Sequence, residues 1–257
     1  MKKLILVSND DGYMAKGVRE LMGMLAPYGE VVAVCPHVGR SGQSMALTFD
    51  APLRIEEVES PVAGARLYSC SGTPVDCVKV SRECVLGGRL PDLVVAGINH
   101  GSNASVNVVY SGTMGAVQEG AMWGVPAIGF SLTSHDADAD FMAVRPAVDA
   151  LVPKLLEEGL PEGLFINVNV PHGVAHAPMM FCRECKAHWS EEYQQYKDPM
   201  GKTFFMLAGH MVNDEPESTD TDLYALAHGR TSVVAELLDR TAPAPQVPAW
   251  LHTLASK

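Results

Sequence analysis

The stretch KLILVSNDDG, residues 3–12, sets the architecture: a continuous apolar run ends in an amide, two adjacent acids and a glycine. A strand with no polar alternation is covered on both faces, as in a parallel sheet. EVVAVC (30–35), DLVVAGI (92–98), PAIGFS (126–131) and LFINVNV (164–170) repeat the pattern. Between the runs lie helical signals. Val18, Leu21, Met22 and Leu25 follow the i, i+3, i+4, i+7 spacing, and TPVDCVKVSRECVL (73–86) opens with a threonine cap and a proline at the first helical position. Further helices are predicted over about 112–123 and 143–158. Strands alternating with helices predict an α/β fold, a Rossmann-like, doubly wound, mostly parallel sheet.

Beyond Pro171 the texture changes. Residues 179–212 carry aromatics and a turn signal at Asp198–Gly201 without helix–strand alternation. They are predicted as extended hairpins outside the sheet, of the kind that meets partner subunits. The Pro- and Ala-rich tail, 239–257, reads as irregular or docked coil. The chain is expected to form a single domain, a core over about 1–171 with a hairpin-and-tail region over about 172–257.

The 257 residues hold 19 basic and 30 acidic side chains, a net charge of −11, with no Lys/Arg run. This opposes binding of long nucleic acids and leaves a small anion held by local N–H groups or a metal. The apolar run at 4–7 is too short for a leader peptide, and no later stretch is long enough to span a bilayer, so a cytoplasmic protein without membrane attachment is expected. Cys35, Cys70, Cys77 and Cys84 sit singly in apolar segments, the setting of reduced, buried thiols. Cys182 and Cys185 form a C-x-x-C with no second pair at zinc spacing, and they carry no expected function.

Ligands of open parallel sheets bind beyond the carboxyl ends of the strands. Three polar clusters fall there. In SNDDG, a turn eased by Gly12 brings Asp10 and Asp11 toward one point, where they either share a cation or merely cap the next helix. In CPHVGRSGQS (35–44), Arg40, Ser41, Gly42 and Ser44 form a polar turn. In the third, Asn99, His100, Gly101 and Asn103 come directly after a strand, and YSGT introduces a helix whose Ser111, Gly112 and Thr113 suit an anion. The second SGT, at 71–73, reads as an ordinary cap. His100 is either a proton donor or an exposed loop histidine.

SNDDG, RSGQS, SGTPVDCV, GINHGSN and YSGTMGA, in this order, resemble the SurE family of 5′/3′-nucleotidases, also called survival protein E phosphatases. The motifs are dense over about 4–131 and thin out through FINVNVP and DTDLYALAHGRTSVV. The resemblance implies a cytoplasmic, metal-dependent phosphatase of nucleoside monophosphates that assembles as a homodimer or homotetramer. It places metal ligands at Asp10, Asp11, Ser41 and Asn99, with Asp10 and Asp11 the catalytic candidates. An all-oxygen set suits one divalent ion per subunit, Mg²⁺ or Mn²⁺. Asn103, Ser111, Gly112 and Thr113 would face the phosphate, with Asn9 behind the metal ligands. The family often has a proline in SVTPL, where this chain reads SVVAEL with Ala235. Two rival readings stand beside it. A haloacid-dehalogenase-type phosphatase wants D-x-D, whereas Asp10 and Asp11 are contiguous, and a nucleotide sensor without turnover has no need of convergent acids.

Overall fold

The computed structural model describes residues 2–248 and Trp250, so the last part of the proline-rich tail lies outside the described residues. Each predicted apolar run forms a strand because its side chains alternate between two buried layers. The strands are β1 (Leu4–Ser8), β2 (Glu30–Pro36), β3 (Ile55–Val58), β4 (Arg66–Cys70), β5 (Leu93–His100), β6 (Ala127–Leu132) and β7 (Leu164–Val170). The later ones are β8 (Met179–Cys182), β9 (Ala187–Ser190), β10 (Tyr193–Lys197), β11 (Thr203–Leu207), β12 (His210–Asn213) and β13 (Thr231–Leu237).

Nine of them build one sheet in the order β3-β4-β2-β1-β5-β6-β7-β13-β8. From β4 to β7 all neighbours are parallel, while β3 and β13 run antiparallel to β4 and β7. The helices are α1 (Lys16–Leu25), α2 (Pro74–Cys84), α3 (Asn107–Tyr110), α4 (Gly112–Met122), α5 (Arg145–Glu158) and α6 (Asp222–Ala227). Ile5 and Val7 pack with Val18, Leu21, Met22 and Val148 on one face, and Leu6 with Val34, Val78, Met114 and Val117 on the other. This is the doubly wound arrangement the sequence predicted. The chain goes from β1 outward through β2 and β4, then returns to β5 on the other flank of β1. The carboxyl ends of β1 and β5 therefore border a topological switch point, where such sheets open a ligand crevice.

Thr73 caps α2 and forms a reciprocal capping box with Asp76, so the SGT at 71–73 is structural, as its sequence predicts. Two expectations are corrected. The 179–212 segment is not wholly outside the sheet, because β8 pairs in parallel with β13 at the sheet's edge. Cys84 is exposed rather than buried, since it ends α2 on the solvent side. The strands β3, β4 and β13 were not predicted. The rest of the segment does form hairpins: β10 pairs with β11 across the Asp198–Gly201 turn, and β9 pairs with β12. Cys182 and Cys185 are buried free thiols, and Cys185 Sγ donates to Asn213 Oδ1 at 3.2 Å. Ala235 lies within β13 opposite Ile166, so the strand runs unbroken where the family often has proline. Among the described residues, no helix is long and apolar enough to cross a membrane.

Candidate active site at the switch point

β1 ends at Ser8, and the chain turns at once. Asn9 Nδ2 donates to Gly12 O at 3.0 Å, and Gly12 adopts φ +98, a conformation that strains any side chain. A Cβ there would also stand 3.3 Å from the backbone of Val38. The turn is thus pressed against the loop after β2, and Arg40 N donates to Asp10 O at 2.6 Å. Neither acid caps α1, whose N-cap is Ala15 with no side-chain bond.

The loop after β2 is fastened at its far end. Ser44 N donates to Tyr110 O at 3.0 Å and Ser44 Oγ to Val109 O at 2.7 Å. A Cβ on Gly115 of α4 would come within 2.3 Å of Ser44 O, so a glycine is what lets the loop approach. Ser41, between these anchors, opens into the same cavity as Asp10 and Asn99.

β5 brings the third cluster. Its register shifts between Ala96 and Asn99, with Gly97 at φ +124, and the irregularity re-aims the side chains beyond it. Asn99 is buried, and its Nδ2 donates to Gly101 O at 2.8 Å, which turns Oδ1 toward Thr113. His100 N donates to Asp11 Oδ2 at 3.2 Å. Ser111 caps α4 through Met114 N, and Gly112 rests on Asp10, whose Cβ an added methyl would meet at 2.9 Å. Thr113 Oγ lies 2.5 Å from Asp10 Oδ1 and 3.4 Å from Asn99 Oδ1. A hydroxyl carries one proton. The shorter contact takes it, leaving the Asn99 oxygen without a donor from that group.

Asp10 is 3% exposed. Burial first, and then the neighbouring charge of Asp11, push its carboxyl up to about 6, against the Thr113 hydrogen bond that favours the charged form. Burial likewise raises Asp11 to about 6, although the His100 N–H and the charge of His135 pull the other way. Among the described residues, neither acid has a Lys or Arg ion-pair partner. The Asp10 carboxylate and the Asn99 oxygen thus share the Thr113 hydroxyl, while Asp11, held by the His100 N–H, adds its charge to that of Asp10. Only two of these groups are acids, and among the described residues no three His, Cys, Asp or Glu side chains are grouped so that they could hold a metal ion.

Asp10, Ser41, Asn99, Asn103 and Ser111 line one cavity of about 550 Å³. Thr113 and Gly112 stand behind Asp10, and Asn9 serves the turn rather than the cavity, its buried Oδ1 lacking a hydrogen-bond partner. A larger hollow of about 740 Å³ beside β8 and β13 holds none of the candidate site residues, and the chemistry selects the smaller one. His100 is not an exposed loop residue: it stacks on Phe141 at 4.7 Å, and burial lowers its pKa against the opposing charge of Asp10.

Several supporting residues lie outside the dense motifs. Asn169 Oδ1 accepts from Asn103 N at 2.7 Å, Asn169 Nδ2 donates to Asn167 Oδ1 at 3.0 Å, and Asn167 Nδ2 donates to Asn103 O at 2.9 Å. Ser131 Oγ accepts from Asn103 Nδ2 at 2.9 Å. Asp222, opening α6, accepts from Ser105 N at 2.7 Å and Cys185 N at 3.0 Å, tying the C-terminal region to the same loop. A signal was present in INVNV, where two amides two residues apart share one face of an otherwise apolar strand. His135 and Trp189 also reach the cavity, His135 from a segment that the sequence does not single out and Trp189 from the stretch expected to form partner-facing hairpins.

Residues 5–191 match the family model described as Survival protein SurE. The chain is 44% identical to a 5′-nucleotidase SurE of Bacteroides fragilis, covering 94% of each chain. It is 46% identical to a 5′-nucleotidase SurE of Cytophaga hutchinsonii, over 94% of this chain and 93% of that one. The crystal structure of the SurE protein from Aquifex aeolicus superposes with a TM-score of 0.82 at 32% identity, covering 98% of this chain and 99% of that one.

Proposed function

The chain belongs to the SurE survival protein family, and on that basis we propose that it is a 5′-nucleotidase, a phosphoric monoester hydrolase that splits nucleoside 5′-monophosphates into nucleoside and phosphate. The observation that carries this is the oxygen-rich switch point: the buried Asp10 carboxylate and the Asn99 oxygen meet the same Thr113 hydroxyl, the charge of Asp11 acts on Asp10, and neither acid is paired with a basic side chain among the described residues. Such a cluster fits a hard divalent cation, and the all-oxygen donor set favours Mg²⁺ or Mn²⁺, one per subunit.

Asp10, Asp11, Ser41 and Asn99 would hold that ion. When bound, it supplies polarisation of a phosphoryl oxygen and a lowered pKa for the attacking water. The remaining work falls to the chain. Thr113 keeps the Asp10 carboxylate oriented and ionised, and Asn99 is locked with its oxygen forward by Gly101. The phosphoryl oxygens fall to Ser111, the N-cap of α4, and to the side chain of Asn103, both of which line the cavity, whereas Gly112 and Thr113 support Asp10 from behind. Asn167, Asn169 and Ser131 fix Asn103 by bonding its backbone and its amide.

Assembly into a dimer or tetramer, acting in the cytoplasm, is part of the same reading. Its support is the β10–β11 hairpin, where Tyr193, Phe205, Met206 and Leu207 are each more than half exposed. The test of function is phosphate release over a panel of nucleoside monophosphates with Mg²⁺, Mn²⁺, Zn²⁺ and EDTA. Release with Mg²⁺ or Mn²⁺, its loss in EDTA, and its abolition by Asp10→Ala and by Asp11→Ala are expected. Full activity in both variants would discard the site, and nucleotide-induced stabilisation without any phosphate release would favour a sensor.

A further inference from the structure

We propose that Trp189 is the platform on which the base of the nucleotide stacks. The inference rests on the nucleotidase reading and adds what that reading leaves open: how the far end of the substrate is held.

One cavity is lined both by Asp10, Asn99 and Asn103 and by the aromatic rings of Trp189 of β9 and Tyr110 at the end of α3. A nucleoside monophosphate asks for both, a polar site for its anion and a flat apolar surface for its aromatic ring. Tyr110 immediately precedes Ser111, so the aromatic and phosphate-facing walls are adjacent in the chain.

The indole is held in place. Its Nε1–H donates to Asn107 Oδ1 at 3.0 Å, and Asn107 Nδ2 donates to Ser102 O at 3.1 Å, one residue before Asn103. With its single polar group satisfied, the indole offers a ligand only its π-surface and apolar edge. Trp189 is only half-buried, although it sits opposite Met211 in the β9–β12 pair. A fixed, part-open indole in the wall of the cavity that Asp10, Asn99 and Asn103 also line suits stacking, which accepts any base because every base has a π-face.

The experiment compares Trp189→Leu, which keeps apolar bulk without a ring, and Trp189→Phe with the wild type, using adenosine 5′-monophosphate and ring-free glycerol phosphate. Trp189→Leu is expected to raise KM for the nucleotide about tenfold to a hundredfold, the range of one lost base stack. Its kcat, and kcat/KM for glycerol phosphate, should stay within about twofold, and Trp189→Phe should recover most of the loss. Equal losses on both substrates, or an unchanged nucleotide KM, overturn the proposal. Quenching of indole fluorescence by the nucleotide, taken as the difference between wild type and Trp189→Phe, reads stacking without turnover. No difference overturns the platform even where phosphate is released, whereas quenching without release from either substrate defeats the nucleotidase reading and leaves the platform standing.

Discussion

Asp10 and Asp11 meet at the end of β1, where burial resists ionisation of both and the charge of Asp11 adds to it at Asp10, and each carboxyl is raised to about 6 from an ordinary 3.8. Without metal the folded state binds more protons than the unfolded chain between about pH 4 and 6, so the stability these acids contribute is present below about 4 and lost as pH rises through about 6. Thermal melts of metal-free protein should show this decline, flattened in Asp10→Asn; identical pH profiles would refute it. Mg²⁺ or Mn²⁺ competes with those protons, and the rise in Tm on adding either should be larger at pH 7.5 than at pH 5. Thr113 supplies the hydrogen bond that opposes the upward shift of Asp10. Thr113→Val should lower metal affinity or activity about tenfold to a hundredfold, the usual effect of removing a group that orients a ligand. An unchanged Mn²⁺ affinity and rate in that variant would show that the bond does no such orienting.

Among the elements around the sheet's carboxyl edge, three loops converge because glycines let them approach. Gly115 on α4 admits the carbonyl of Ser44, and a methyl there would sit 2.3 Å from it. Gly115→Ala should push the 36–44 loop outward, destabilise the fold by about 1–3 kcal/mol and reduce phosphate release through the displacement of Ser41. A wild-type melting curve and rate would contradict that packing. The five central strands and the helices between them were legible because their apolar runs and 3.6-residue patterns are local signals. β13 was not. TSVVAEL is an edge-side strand whose antiparallel pairing with β7 is decided by tertiary contact. β8 was misplaced for the same reason, since MMFC reads equally well as a free hairpin strand. Motif order drew attention to Asp10, Ser41, Asn99 and Asn103, whereas Asn169 and Asp222 act on the site through backbone N–H groups 66 and 117 residues distant in sequence. Such bonds leave no periodicity to read.

Taken whole, the molecule is a doubly wound sheet that carries its chemistry at the switch point and an apolar hairpin away from its core. Phe205 and Leu207, 62% and 73% exposed, are expected to be covered by another copy of the chain. Sedimentation should find a dimer or tetramer, and Phe205→Glu with Leu207→Glu should shift it toward monomer; a wild-type monomer at micromolar concentration would end that expectation. The proposed chemistry turns on whether the carboxylates at the end of β1 hold a divalent ion that hydrolysis requires. Mn²⁺ binding followed by electron paramagnetic resonance, with phosphate release measured on the same samples of wild type and Asp10→Asn at pH 7.5, tests this without intermediaries. One bound Mn²⁺ per wild-type chain is expected, with the joint loss of tight binding and of phosphate release in the variant. Mn²⁺ bound equally tightly by Asp10→Asn, with hydrolysis intact, would contradict it.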